Sequence, residues 1–367
     1  MELKGSEHLN RVCNKKYISR VALTALTAVI VMGVSVAFAG CSAQEDEYDG
    51  ADITRIKNGY GTIFVSGRTI EHVADTSTST VVKWSNEPVA RASKGFKMDE
   101  TDGIVYKTAD MTDGRDKGKP LQLKMNIKKD AKAMSPQPVI LFVPGGGFIT
   151  CEIDRKYKNV HRYLVENGYA VAVMKYRVIG QGTYVDAVQD VRDAIDWLKE
   201  HGDKYGLSTV GGIYLVGNSG GGYLASMAAC QDPSDIRCVV NFYGLSALAD
   251  NKSDYEEAAI KAHHTPQSSD SQFTYGVYSD KALGEDPERD RLADPVTYVD
   301  GDEPPFIHFH GDADLWVSPS QSLHLHEALL ARNEVSKRYV AKGEGHGGKG
   351  FRTKRALDAA LSFMKQY

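Results

Sequence analysis

A serine set among glycines, Gly217-Asn218-Ser219-Gly220-Gly221, constrains this chain more than any other stretch. The apolar run Ile213-Tyr214-Leu215-Val216 precedes it, and Tyr223 through Ala229 follows with the composition of a buried helix. Strand, G-x-S-x-G and helix in that order make a nucleophile elbow, a sharp turn that lifts a serine hydroxyl above the end of a sheet. Glycines flank such a serine because side chains would collide with the tightly turned backbone. A glycine-rich turn can also be a plain connection between a buried strand and its helix, so the rest of the chain has to supply partners for Ser219.

A nucleophilic serine needs a histidine to take its proton and an acid to orient that histidine. On an elbow scaffold they follow the serine in the order acid, then histidine. Pro305 through His310 reads as a strand that enters a loop carrying two aspartates, Asp312 and Asp314. Tyr339-Val340 closes a short strand, and His346 stands in the glycine-rich loop Gly343-Glu344-Gly345-His346-Gly347-Gly348 just after it. The order and the strand-end positions both fit. A further loop, Pro144-Gly145-Gly146-Gly147-Phe148, follows the buried-strand run Val139–Val143. Successive glycines there let backbone N–H groups converge on one small volume. Such donors stabilise a tetrahedral oxyanion, typically by about 3 kcal/mol each.

These stretches resemble α/β-hydrolases of the carboxylesterase type. The likeness is strongest to the bacterial branch related to hormone-sensitive lipase and to feruloyl or acetyl-xylan esterases. It runs from about Gly103 to Tyr367. It rests on Val143–Phe148, Tyr176-Arg177, Asp190 through Leu198, Gly217 through Leu224, and Ala293-Asp294-Pro295 through Asp314, with His346 completing the set. The family's HG-x-x-D-x-x-V pattern is matched by His310, Gly311, Asp314 and Val317. The resemblance thus gives the acid role to Asp314 rather than Asp312. It implies Ser219, Asp314 and His346 as a catalytic triad and the N–H groups of Gly146, Gly147 and Gly220 as the oxyanion hole. The family's HGGG loop is PGGG here, so the support its histidine gives must come from elsewhere. The implied activity is hydrolysis of carboxylic esters through an acyl-enzyme, on short-chain or aromatic acyl groups, including carbohydrate-linked ones. Two other readings are a serine peptidase of the prolyl-oligopeptidase type and a non-catalytic hydrolase-fold binding lipoprotein. No propeller-sized segment precedes the hydrolase part, and all three triad residues are intact, which disfavours both.

The order of apolar segments predicts an α/β fold, a mostly parallel, doubly wound sheet with helices on both faces. Expected strands are Gly103–Thr108, Leu121–Ile127, the Val139 run, Ala170–Lys175, and the runs at Ile213, Val239, Phe306 and Val335. Expected helices are 157–167, 184–200, the elbow helix, 320–331 and 353–366. Residues 184–200 place Val188, Val191, Ile195 and Leu198 on one face. Between Gly244 and Val299 the rhythm breaks, and this polar stretch reads as a cap insertion in which Phe273, Tyr275 and Tyr278 can stack on a sugar or cinnamoyl ring. Asp190 and Arg192, beside Tyr176-Arg177, read as a structural ion pair.

The chain has 367 residues, of which 42% are hydrophobic and 25% charged, enough for one large hydrolase domain at 101–367. The net charge is −4 with no long basic run, which gives no footing for nucleic-acid binding. Lys15, Lys16 and Arg20 precede an uncharged run from Val21 to Phe38, then Ala39-Gly40-Cys41. Residues 1–40 therefore read as a lipoprotein signal peptide with Cys41 as the lipidated residue, tethering an exported protein to the membrane. A single membrane anchor is the other reading of the run. Residues 41–100 read as an acidic tether and irregular extension. Cys151, Cys230 and Cys238 remain; Cys230 and Cys238 read as a local pair or as core thiols. No Cys/His spacing calls for a metal, His308, His310, His324 and His326 read as non-ligands, and no cofactor is implied.

Overall fold

The computed structural model describes residues 54–58, 61–65, 75–111, 117–129, 135–151, 153, 157–248, 264–314 and 316–367. The expected signal segment 1–40, Cys41 and residues 42–53, 59–60 and 66–74 of the expected tether and extension lie outside them, as do residues 249–263 of the expected cap.

Two short strands, β1 (Thr54–Asn58) and β2 (Gly61–Val65), pair as an antiparallel hairpin. The main sheet is built from β3 (Thr80–Val82), β4 (Met98–Ala109), β5 (Lys119–Lys128), β6 (Gln137–Val143), β7 (Ala170–Met174), β8 (Leu207–Ser208), β9 (Ile213–Asn218), β10 (Ile236–Phe242), β11 (Phe306–Gly311) and β12 (Ser336–Ala341). Its order is β3-β12-β11-β10-β9-β6-β7-β5-β4, with the two-residue β8 beside β6. All neighbours from β3 to β7 run parallel; β5 and β4 close the far edge antiparallel. The central strands are apolar on both faces because helices cover both. β7 (AVAVM) and β9 are buried at every position.

The helices are α1 (Lys158–Glu166), α2 (Tyr184–His201), α3 (Gly220–Gln231), α4 (Ser269–Tyr275), α5 (Pro287–Leu292), α6 (Pro319–Ala331) and α7 (Lys354–Met364). α2 buries Val188, Val191, Ile195 and Leu198 as its periodicity requires. Its first turn is closed by Thr183 N–H donating to the Asp186 carboxylate at 2.9 Å, a reciprocal capping contact. α3 is buried along nearly its whole length, as expected of a helix packed at the centre of the sheet.

Two expectations about the flanks change. β3 pairs in parallel with β12, so the sheet begins before residue 101 and part of the 41–100 segment belongs to the domain. A three-residue edge strand has too little pattern to stand out in a sequence. The described part of the 244–299 stretch is also more deeply packed than its polarity suggests: Leu245, Leu248, Phe273, Leu283 and Ala293 join the main core. Cys230 and Cys238 are free, buried thiols, and burial pushes the Cys238 thiol up to about 12.

His161 on α1 carries a testable consequence. Its ring is buried edge-on against Phe142 at 4.7 Å, and Nε2 has no partner among the described residues. Burial, with Lys124 adding to it, pushes the imidazole down to about 3. The unfolded chain binds this proton near pH 6.5 and the folded chain does not, so the stability is full above that pH and is lost as pH falls. At pH 5 the loss from this one ring is about 2 kcal/mol. His308 and His326 shift in the same direction. His161→Leu is therefore expected to lose less Tm than the native protein between pH 7 and pH 5. Equal slopes in the two proteins would refute this assignment.

Candidate active site

The chain reverses its direction of sheet growth between β6 and β9. β7 adds on one side, and β10, β11 and β12 add on the other. At such a switch point the loops leaving the carboxyl ends of adjacent strands splay apart and leave a crevice. The loop after β6 is Pro144–Phe148 and the turn after β9 is Ser219. Pairing of Val143 with Gly217 sets the two side by side.

Ser219 has φ +53 and ψ −130, an uncommon conformation for a residue with a side chain. The turn closes so tightly that a Cβ on Gly217 would stand 2.3 Å from the Gly221 carbonyl oxygen. A Cβ on Gly221 would stand 2.0 Å from that of Val143. Neither clash can relax, because both involve backbone. The two glycines of the motif are therefore steric requirements of the elbow.

Ser219 Oγ lies 2.8 Å from His346 Nε2, and His346 Nδ1 lies 2.8 Å from Asp314 Oδ2. Asp314 is buried, and its other oxygen accepts N–H bonds from Trp316 (2.9 Å) and Val317 (3.0 Å). Burial alone would raise the Asp314 carboxyl. The facing His346 and hydrogen bonds from His310 and His346 outweigh it and hold the group well below the usual carboxylate range. Asp314 is thus an anion at any working pH. Asp312 is turned away and accepts the Gly343 N–H at 2.6 Å.

The His346 loop is fixed by Glu344, a buried carboxylate that accepts the Gly350 N–H at 3.0 Å. Its carbonyl accepts the Ala313 N–H at 3.2 Å, which ties the histidine loop to the acid loop. Tyr243, at the end of β10, sets its ring edge-to-face with His346, centroids 4.8 Å apart, and its hydroxyl lies 2.6 Å from that of Tyr157. No periodicity or motif signals Glu344 or Tyr243. A buried acid in a glycine-rich loop reads as solvated until the partner N–H groups are known.

The Pro144–Phe148 loop lies directly against the elbow: a Cβ on Gly145 would stand 2.9 Å from Ser219 Cβ. The support absent with the family's histidine is supplied twice over. Tyr176 Oη donates to the Pro144 carbonyl at 2.8 Å, and Gly145 N–H donates to Asn218 Oδ1 at 3.2 Å. Beyond the turn, Ile149 and Thr150 N–H both return to the Gly146 carbonyl. Gly146 and Gly147 stand on this turn, and Gly220 opens α3, whose first N–H groups have no partner within the helix.

Tyr176 is in turn held from below. Arg177 makes a bidentate contact with Asp190 on α2, at 3.0 Å from Nε to Oδ2 and 2.8 Å from Nη2 to Oδ1, and Lys107 joins at 2.8 Å. Arg192 pairs instead with Asp232 at 2.7 Å. The buried Arg177–Asp190 pair thus fixes the segment that carries Tyr176. Phe273 differs from its expected role. It is fully buried, stacked on Phe148 at 4.1 Å, and cannot meet a substrate. Tyr275 packs beneath Arg289, and its hydroxyl donates to Asp290. Of the three aromatics only Tyr278 is largely exposed.

Among the described residues no group of three or more His, Cys, Asp or Glu is placed to hold a metal ion. A cavity of about 640 Å³ between α5 and α6, lined by Asp290, Asp294, His324 and Glu327, touches none of Ser219, Asp314 and His346.

A parallel sheet with an elbow at its switch point defines an α/β-hydrolase. The chain belongs to the BD-FAE family, whose match spans residues 125–329. Among curated relatives it is 27% identical over 265 residues to the esterase LipC of Mycobacterium tuberculosis, covering 67% of this chain and 62% of LipC. It is 26% identical over 229 residues to the probable carboxylic ester hydrolase LipM of the same organism, covering 59% of this chain and 50% of LipM. The chain thus spans about half to three-fifths of the length of these relatives. Among solved structures, a truncated carbohydrate esterase from gut microbiota superposes with a TM-score of 0.62 at 18% identity, covering 76% of this chain and 98% of that one. A thermophilic esterase of Thermogutta terrifontis gives 0.54 at 20% identity, covering 74% and 92%. At these identities the likeness establishes the fold.

Proposed function

We propose that this protein is a serine carboxylic-ester hydrolase. The observation that carries the reading is the pair of 2.8 Å contacts that link Ser219 Oγ, His346 and Asp314, with the serine on a strained elbow. His346 Nε2 takes the Ser219 proton as Oγ attacks the ester carbonyl, and Asp314 stabilises the imidazolium that forms. The N–H groups of Gly146, Gly147 and Gly220 receive the oxyanion, aided by the positive end of α3. The imidazolium then gives its proton to the leaving alcohol. Water, activated by the same histidine, releases the acid from the acyl-enzyme.

For substrate, we infer short-chain or aromatic acyl esters, including carbohydrate-linked ones. The esterase relatives and the carbohydrate-esterase neighbour support this, as does the described part of the 264–299 segment. Its Phe273 and Leu283 are buried in the core, and Tyr278 is its one largely exposed large apolar residue, so the described segment offers few apolar side chains to a long chain. Each buried CH₂ contributes only about 0.8 kcal/mol and needs matching apolar surface to do so. With p-nitrophenyl esters, kcat/KM is expected to fall steadily from acetate and butyrate to palmitate. A preference for C12 or longer chains would reject this specificity.

Export as a lipoprotein rests on the sequence around Cys41. Cys41→Ser is expected to leave an unprocessed, unlipidated chain, while a chain starting at Ser42 stays soluble and active. Mass spectrometry of the mature N-terminus decides the point: an unmodified Cys41 in the native protein would exclude the anchor.

A further inference from the structure

His310 is the penultimate residue of β11, and its side chain is entirely buried. Its Nε2 lies 3.0 Å from the Val317 carbonyl oxygen and 3.3 Å from Asp314 Oδ2. Its Nδ1 has no hydrogen-bond partner among the described residues. A carbonyl oxygen only accepts, so Nε2 carries the proton and donates. Asp314 Oδ2 stands between two imidazole N–H groups, from His310 and His346, and Oδ1 takes two backbone N–H groups. Val317 contributes at both ends: its N–H binds Oδ1 and its carbonyl accepts from His310. His310, Asp314 and Val317 thus close a ring that locks the rotation of the carboxylate.

We propose that His310 is a positioning residue for the catalytic acid. Its one Nε2–H, shared between the Val317 carbonyl at 3.0 Å and Oδ2 at 3.3 Å, holds Asp314 in the rotamer that aims Oδ2 at His346 Nδ1, and it takes up part of the charge that would otherwise face His346 alone. The proposal rests on the triad reading above. No proton moves to or from His310 in the reaction. Among the described residues the titratable groups facing Asp314 are His310 and His346; Asp312 is turned to Gly343 and Glu344 to Gly350.

The consequences have a definite sign. Without the His310 donor the carboxylate loses its fixed aim, so kcat falls. Its whole charge then faces His346, which favours the protonated ring, so the acid limb of kcat/KM moves to higher pH. His310→Met fills the volume without a donor, whereas His310→Gln can return an N–H near the Nε2 position. For His310→Met, kcat is expected to fall about tenfold at unchanged KM, the effect of one hydrogen bond to a charged group. His310→Gln is expected to recover most of it. In an Asp314→Asn background His310→Met costs little more, because no carboxylate remains to be held. If circular dichroism shows His310→Met unfolded, His310→Asn, whose short amide cannot reach Oδ2, takes its place in the cycle. A native kcat and pH profile without the donor, or full additivity with Asp314→Asn, overturns the proposal. Ser219→Ala and Asp314→Asn run alongside: retained activity there defeats the triad reading, while their loss beside a silent His310 variant defeats only this one.

Discussion

Ser219→Ala is expected to abolish ester hydrolysis while leaving the fold intact. Removing the nucleophile of such a triad lowers kcat on the order of 10⁶-fold, because histidine and acid have nothing to activate. Labelling by a fluorophosphonate probe should vanish with it. The protein should still fold, because alanine adopts the φ of +53 no worse than serine does and the elbow glycines are untouched. The lost Oγ–His346 hydrogen bond costs about 1 kcal/mol. Substantial turnover of p-nitrophenyl acetate by the purified variant would place the nucleophile elsewhere.

Asp314→Asn is expected to be nearly as severe, and the reason is geometric. The amide oxygen must sit where Oδ1 sits, because the Trp316 and Val317 N–H groups both point there. The NH₂ group then faces His346 Nδ1, which has to become an acceptor. Its proton moves to Nε2, and the ring can no longer take a proton from Ser219. The same NH₂ opposes the His310 N–H. A loss on the order of 10⁴-fold in kcat follows from the wrong tautomer alone. Asp312→Asn is the internal control. Its oxygen can still accept the single Gly343 N–H, so kcat should stay within about twofold, as for a surface hydrogen bond of small net value. Reversed effects at the two positions would reassign the acid.

Much of the architecture could be read locally. Buried strands such as β7 and β9 are unbroken apolar runs, and α2 repeats its apolar residues at helical spacing, so burial on a sheet or a helix face leaves a periodic trace. β3 left none: three residues make a strand only because β12 offers an edge to pair with. Phe273 shows the opposite error. An aromatic in a polar segment suggests a ligand contact, yet Phe148 and Tyr223 provide it with a packed slot. Whether an aromatic faces substrate or core depends on what lies opposite, and no window of sequence contains that.

The elbow itself was decided by sequence. G-x-S-x-G between a buried strand and a buried helix is in part a local steric solution: a Cβ on Gly217 would meet the Gly221 carbonyl within the turn, whereas a Cβ on Gly221 would meet the Val143 carbonyl of the neighbouring strand β6. The order of Ser219, Asp314 and His346 along the chain was equally legible, since each follows a strand. What only the tertiary structure decided is how those three are held. His346 and Ser219 are 127 residues apart in sequence and meet at 2.8 Å. The supports of the site are carbonyls and N–H groups contributed by distant loops: Tyr176 on Pro144, Glu344 on Gly350 and Ala313, His310 on Val317 and Asp314. Backbone groups are the same in every residue, so a contact made to them leaves no mark in the sequence of the segment that provides it.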